Sequence, residues 1–267
     1  MLMNNFLRNR KSIRDFKNRD IDGMLLDEIT EYCDRIGTEG YRFSLFQDGK
    51  DIFKSLEGIG GYAGVMIKSP HYVGVNIKGS KEENIIYGAY NMEYLITKLT
   101  ELGIGSCWIN LNDVDINLRK ELLGSEEGDM DYLLAIGYPA AKNPFAAESI
   151  SHRMGVEDMV YDGEMGKHID MVQLQQRGLD DLFYYIRFAP SSYNRQPWRF
   201  VLKDDRVILL LMHSDEEELS LVDAGIIMYY FEGLAKTMGI EDRWTLIDRA
   251  DYEDGESSYR YIGEFKI

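Results

Sequence analysis

APSSYNRQPWRF, residues 189–200, sets a proline, two serines, an asparagine, a glutamine, a second proline and a tryptophan in one short turn, and does so once in 267 residues. Pro190 and Pro197 each fix φ and withdraw an N–H donor, so the segment between them is stiff. A stiff turn holds hydroxyl, amide and aromatic groups in set directions, which suits the polar edge of a planar heterocycle. The competing reading is a structural turn with Trp198 packed in the core. Ser191 and Ser192 lack a G-x-S-x-G setting and a neighbouring histidine. Hydrolase chemistry is therefore unsupported, and no catalytic side chain is assigned.

Outward from the turn, LDDLFYYIRF precedes it with helix-like apolar spacing and WRFVL follows with a strand-like run. Residues 25–46, LLDEITEYCDRIGTEGYRFSLF, have the same plan, with Tyr32 matching Tyr185 and Arg42-Phe43 matching Arg199-Phe200. Cys33 to Phe43 spans 11 residues and Ile186 to Phe200 spans 15, so the later copy carries four extra residues, and these fall inside the turn. A second pair follows in the same order. YGAYNMEYLITKLTELGIGSCW (87–108) aligns with DAGIIMYYFEGLAKTMGIEDRW (223–244), matching Met92 to Met228, Leu95 to Phe231, Gly103 to Gly239 and Trp108 to Trp244. Each glycine stands where a helix C-cap belongs. Two ordered pairs with shared landmarks predict an internal duplication.

Each half reads as helix, strand, long helix, strand. GVMIKSP (64–70), YVGVNI (72–77), YLLAIGYPA (132–140), RVILLLM (206–212) and SSYRYIGEFKI (257–267) supply further strand material. Strict βαβ alternation is missing, which predicts the α+β class. The join is expected within residues 141–172, rich in polar residues and Gly, giving a first half over residues 1–170 and a shorter second half over 171–267.

Lys plus Arg total 30 against 46 Asp plus Glu, a formal charge of −16. Such a surface repels nucleic acid and anionic lipid, so neither is an expected partner. SDEEELS (214–220) and DYEDGES (251–257) read as solvated loops. Cys33 and Cys107 are too few for a disulfide framework, and the four histidines show no ligand spacing, so no metal is expected. No apolar run is long enough to span a membrane, and no secretory h-region is present. These readings predict a cytoplasmic protein.

RNRKSIRDF (8–16) gathers Arg10, Lys11, Ser12 and Arg14. Guanidinium, ammonium and hydroxyl groups at that spacing suit a phosphate dianion. The alternative is a solvated basic turn, but a cationic knot in so acidic a chain has the stronger claim to an anion. GIGGYA (58–63) fits the letters of a dinucleotide fingerprint, yet no strand precedes it and no helix follows, so a Rossmann site is rejected. GIGSCW (103–108) ends a long helix with small residues that admit close backbone approach.

Together these motifs resemble the FMN-dependent nitroreductase family. Its usual homodimer carries an R-(R/H/K)-S-x-(R/K) segment that holds the FMN phosphate and an A-P-S-S-x-N-x-Q-P-W turn that reaches the flavin from the partner subunit. Here the first half has RKSIR but IGTEGYRF where the turn belongs. The second half has the turn but QLQQRGLDD where the phosphate segment belongs. The resemblance therefore implies a nitroreductase-like fold in two tandem copies, a monomer acting as its own pseudo-dimer, with one FMN per chain.

Carried over by position, Arg10, Lys11, Ser12 and Arg14 would bind phosphate and ribityl oxygens. Pro190, Ser191, Ser192 and Asn194 would line the flavin, and Gly105 and Ser106 would offer backbone contacts near its ring. Arg153 would be a further phosphate ligand. The implied activity is ping-pong hydride transfer from NAD(P)H to a small-molecule electron acceptor such as a nitroaromatic or quinone. The alternative is a flavin-binding sensor or carrier without efficient turnover.

Overall fold

Helix α1 (Met3–Asn9) buries Phe6 and Leu7. In this computed structural model, which describes residues 2–124, 129–141, 152–215, 218–255 and 257–267, α1 belongs with the far end of the chain. The chain falls into two units: Lys11–Glu148, here the N-terminal unit, and Met1–Arg10 with Ser149–Ile267, here the C-terminal unit.

The N-terminal unit begins with α2 (Gly23–Ile36), whose buried Leu26, Ile29 and Cys33 recur at helical spacing on one face. β1 (Tyr41–Phe46) buries Tyr41 and Phe43 and exposes Arg42 and Ser44, the period-2 pattern of a strand with one covered face. There follow α3 (Gly49–Leu56), β2 (His71–Ile77), α4 (Glu82–Glu101), β3 (Gly105–Asn110), α5 (Ile116–Leu123) and β4 (Asp129–Gly137). The sheet order is β1-β2-β4-β3, and every pair is antiparallel.

GVMIKSP is not a strand. Beyond an isolated Tyr62–Val65 bridge it runs as irregular chain. Its polar groups are satisfied by Tyr72, whose hydroxyl donates to Ile67 O at 2.6 Å and accepts from Ser69 N at 3.1 Å. One buried phenol takes the place of a ladder.

The C-terminal unit continues with α6 (Val156–Met159), β5 (Val160–Asp162), α7 (Met171–Gln176), α8 (Asp180–Ile186), β6 (Trp198–Leu202), β7 (Arg206–His213), α9 (Leu221–Thr237), β8 (Thr245–Leu246), β9 (Tyr252–Asp254) and β10 (Ser257–Lys266). The sheet order is β5-β6-β7-β10-β8, with β9 paired to β10. Only β5–β6 is parallel. α9 is buried almost all round, as a helix at the centre of a core must be. Phe183, Phe200, Phe231, Phe265 and Trp244 form one aromatic cluster against it, with ring centroids 5.0–6.1 Å apart. Each such ring contributes about 1.5–3 kcal/mol by burial.

The division differs from the expected break after residue 170. β5 pairs with β6, Val160 facing Phe200, which ties residues 152–170 to the later sheet. Phe6 stacks on Tyr230 at 6.0 Å, and a Cβ on Gly233 would fall 2.5 Å from Met3 Cε. That glycine is the gap that admits α1. The expected linker at 141–172 is in part described and structured; its residues 142–151 lie outside the described residues, as do 216–217 and 256 of the two acidic loops.

The two sheets share a strand order: β6-β7-β10-β8 follows the chain as β1-β2-β4-β3 does. The long helices α4 and α9 end in the same cap. Gly103 and Gly239 are left-handed (φ 75° and 82°), and Ile104 N donates to Leu99 O at 2.8 Å as Ile240 N does to Ala235 O at 3.1 Å. This six-to-one bond with a left-handed glycine is the Schellman motif.

Candidate functional site: a clamped turn and an arginine cluster

The RKSIR segment straddles the two units, since Arg10 closes the N-terminal piece of one and Lys11 opens the other. In the N-terminal unit, residues 13–17 are laced to the ends of β3 and β4. Ile13 N donates to Ser106 O at 2.9 Å, Lys17 N to Tyr138 O at 2.8 Å, and Ala140 N to Asp15 O at 2.9 Å. Ser12 is half-buried, whereas Lys11 and Arg14 are exposed. Among the described residues Arg14 makes no ion pair. The smallness of Gly105 is used by the protein itself: a Cβ there would lie 2.8 Å from Ile13 Cγ1. Ser106 likewise spends its carbonyl on Ile13.

In the C-terminal unit three guanidinium groups come together. Arg10 caps α1, its N–H donating to Phe6 O at 2.7 Å. Arg153 Nη1 donates to Ala189 O at 2.8 Å, at the entrance of the turn. Arg187, two residues upstream of Ala189, caps α8 with its guanidinium 5.7 Å from the Tyr184 ring and 5.6 Å from Phe188. Its Nε is buried and has no hydrogen-bond partner. Burial, and then the charges of Arg10 and Arg187, push the Arg153 guanidinium below its ordinary value. Like charges this close repel, and a bound dianion would reverse the sign of that energy.

Beside the cluster, the turn is held in an expensive shape. Tyr193, Asn194 and Gln196 are all left-handed (φ 52°, 58° and 52°), at about 1–2 kcal/mol each for residues with a Cβ. Hydrogen bonds over-determine it. Asn194 N donates to Ser191 O and Arg195 N to Ser192 O, both at 3.1 Å. Gln196 N donates to Ser191 Oγ at 2.9 Å, and Ser192 N to Asp223 Oδ1 at 2.9 Å.

The turn also grips the irregular segment that carries Arg153. His152 O accepts from Asn194 Nδ2 at 2.9 Å and Gln196 Nε2 at 3.3 Å, while Met154 N donates to Gln196 Oε1 at 2.9 Å. Both neighbours of Arg153 are thus tied to the turn. Trp198 is fully buried, which makes it a core residue.

Within the C-terminal unit the fold therefore brings Arg10, Arg153, Pro190, Ser191, Ser192 and Asn194 into one neighbourhood; Lys11, Ser12, Arg14, Gly105 and Ser106 stand together in the other unit. Sequence reasoning passed over Arg187, Gln196 and Asp223. Arg187 reads as a routine cation at a helix C-terminus, and Gln196 and Asp223 act on backbone groups, which leave no trace in residue pattern.

The architecture is mixed α/β, built on two sheets that are antiparallel apart from the β5–β6 pair. The chain belongs to the family described as "Putative TM nitroreductase", whose profile matches residues 3–235. Among solved structures it is similar to a Thermotoga maritima protein described as a "putative nitroreductase", with 19% identity over 98% of this chain and 94% of that one and a TM-score of 0.59. Two others are an FMN-dependent nitroreductase from Clostridium difficile (22% identity, 52% of this chain and 88% of that one, TM-score 0.44) and a nitroreductase with bound FMN from Bacteroides fragilis (19%, 55% and 94%, TM-score 0.46). No curated protein sequence matches. Membership of a nitroreductase family supports an oxidoreductase. Among the described residues no helix is long and apolar enough to cross a membrane, and no cluster of His, Cys, Asp and Glu could hold a metal ion.

Proposed function

We propose that this protein is an FMN-dependent NAD(P)H oxidoreductase that reduces small planar acceptors, nitroaromatic or quinone-like, in a ping-pong cycle. The observation that carries this reading is the arginine cluster beside the clamped turn, with Arg153 fixed on both sides by turn residues. The donor set fits FMN: three guanidinium groups, one with a buried Nε that has no partner, match a phosphate dianion in charge and in donor number.

FMN, when bound, supplies the hydride chemistry. The chain's own work is binding and orientation. Arg10, Arg153 and Arg187 would hold the phosphate. Pro190, Ser191, Ser192 and Asn194 would form a wall for the flavin that does not reorganise on binding, because the turn is already locked. No side chain is asked to act as nucleophile.

The shared strand order and the matching helix caps support reading the two units as tandem copies, with one FMN per chain and a functional monomer. Cys33 and Cys107 are buried and form no disulfide, which fits a reducing cytoplasm.

Flavin content per polypeptide after purification tests the reading, with FMN identified in the supernatant of denatured protein. One FMN per chain, bleached by NADH or NADPH without oxygen, is expected. No FMN even after its addition would sink the assignment. Sedimentation should give a monomer; an obligate dimer would overturn the tandem reading.

A further inference from the structure

Asp223 is 1% exposed, in the first turn of α9. A carboxylate is costly to bury unless its oxygens are used. It is not needed to cap its own helix, because Ser220 Oγ already accepts the Asp223 N–H at 3.3 Å. Instead Asp223 Oδ1 reaches the N–H of Ser192, 31 residues upstream, at 2.9 Å. Ser192 opens the stretch in which three residues with a Cβ are held left-handed. Conformations of that kind persist only where surrounding contacts enforce them. The repeat gives an internal control. The position matching Asp223 is Tyr87, in the half that has IGTEGYRF in place of the turn. The carboxylate occurs only where there is a turn to hold.

We infer that Asp223 is a positioning residue for the flavin turn: it fixes the Ser192 backbone from α9 and thereby sets the geometry with which Ser191, Ser192 and Asn194 meet the flavin. This rests on the flavin reading for its consequence, although the hold on Ser192 can be tested without it. Since the Ser192 N–H is committed to Asp223, the contribution of Ser192 to a ligand is its side chain.

The test compares D223A, D223N and S220A in the full chain. Its readouts are backbone amide exchange over residues 190–197 and the FMN dissociation constant by fluorescence. D223A should speed exchange across the turn and weaken FMN, each by at least about tenfold, the loss of a hydrogen bond to a charged acceptor. D223N keeps an oxygen acceptor and should stay within about threefold of the parent in both. S220A loosens the same helix end and should lower the thermal midpoint, yet leave turn exchange and FMN affinity within about threefold. If D223A does not fold, D223S replaces it, its shorter hydroxyl being out of reach of Ser192. D223A matching S220A, or D223N failing to rescue, would overturn the inference. If the parent protein binds no FMN, the flavin reading falls, and amide exchange alone decides the role of Asp223.

Discussion

Asn194 donates from Nδ2 to the carbonyl of His152 at 2.9 Å, so the turn fixes the backbone just before Arg153. The amide expected to face the flavin is spent on the protein's own chain. A motif read as a ligand contact is, in this respect, the support beneath Arg153, the proposed phosphate ligand.

Removing Arg153 or Arg187 should weaken FMN by about 1.5–3 kcal/mol, tenfold or more, for a charge-assisted contact. Each alanine variant should also flatten the dependence of FMN affinity on salt. An Arg187→Ala protein with unchanged affinity would remove that residue from the phosphate site. The same titration on Arg14→Ala tests the RKSIR assignment.

Gln196 is 5% exposed and makes bonds to Met154 N, His152 O and Asn194 O. Gln196→Ala removes three part-buried hydrogen bonds and takes the turn acceptor from the Met154 N–H, at about 0.5–1.5 kcal/mol per bond. Both the thermal midpoint and FMN affinity should fall. A loss of stability with affinity intact would show that Arg153 keeps its place without the clamp.

Gly105→Ala places a methyl 2.8 Å from Ile13 Cγ1 and 3.0 Å from Pro139 Cγ. Overpacking of this kind costs about 1–3 kcal/mol. Adding Ile13→Ala should recover much of the loss in chemical denaturation. No recovery would mean that Pro139, not Ile13, sets the limit.

Burial raises Tyr72 from 10.0 to about 12, and burial, then the charge of Asp34, raises Cys33 from 9.0 to about 12. Both groups are neutral in the fold. Their contribution is complete below the unfolded values of 9.0 and 10.0 and is lost as pH rises toward about 12. Stability should therefore decline between pH 9.0 and about 12, less steeply in Cys33→Ala. An identical slope in that variant would clear Cys33 of any part in alkaline unfolding.

The long helices, their glycine caps and most strands were legible because burial imposes a period on sequence: Met92, Leu95 and Leu99 mark α4, and Tyr41 and Phe43 mark β1. GVMIKSP was misread since it has a strand's composition but gives its hydrogen bonds to Tyr72, a long-range partner that local pattern does not encode. The placement of α1 and β5 was equally hidden. Both depend on which distant surface is free to receive them, Gly233 in one case and the edge of β6 in the other. Arg10 and Arg153 were singled out by motif, whereas Arg187 needed the fold to bring it beside them.

The packing of α1 on the C-terminal unit bears on how the protein is made. During synthesis α1 leaves the ribosome long before α8 and α9, with a lag on the order of tens of seconds at ordinary elongation rates. Phe6 and Leu7 are uncovered for that interval, and a nascent chain halted between the units carries a helix with nothing to close on. Completing the C-terminal unit draws α1 back to it, and a bulky fusion placed before Met3 should slow this step before it affects any other.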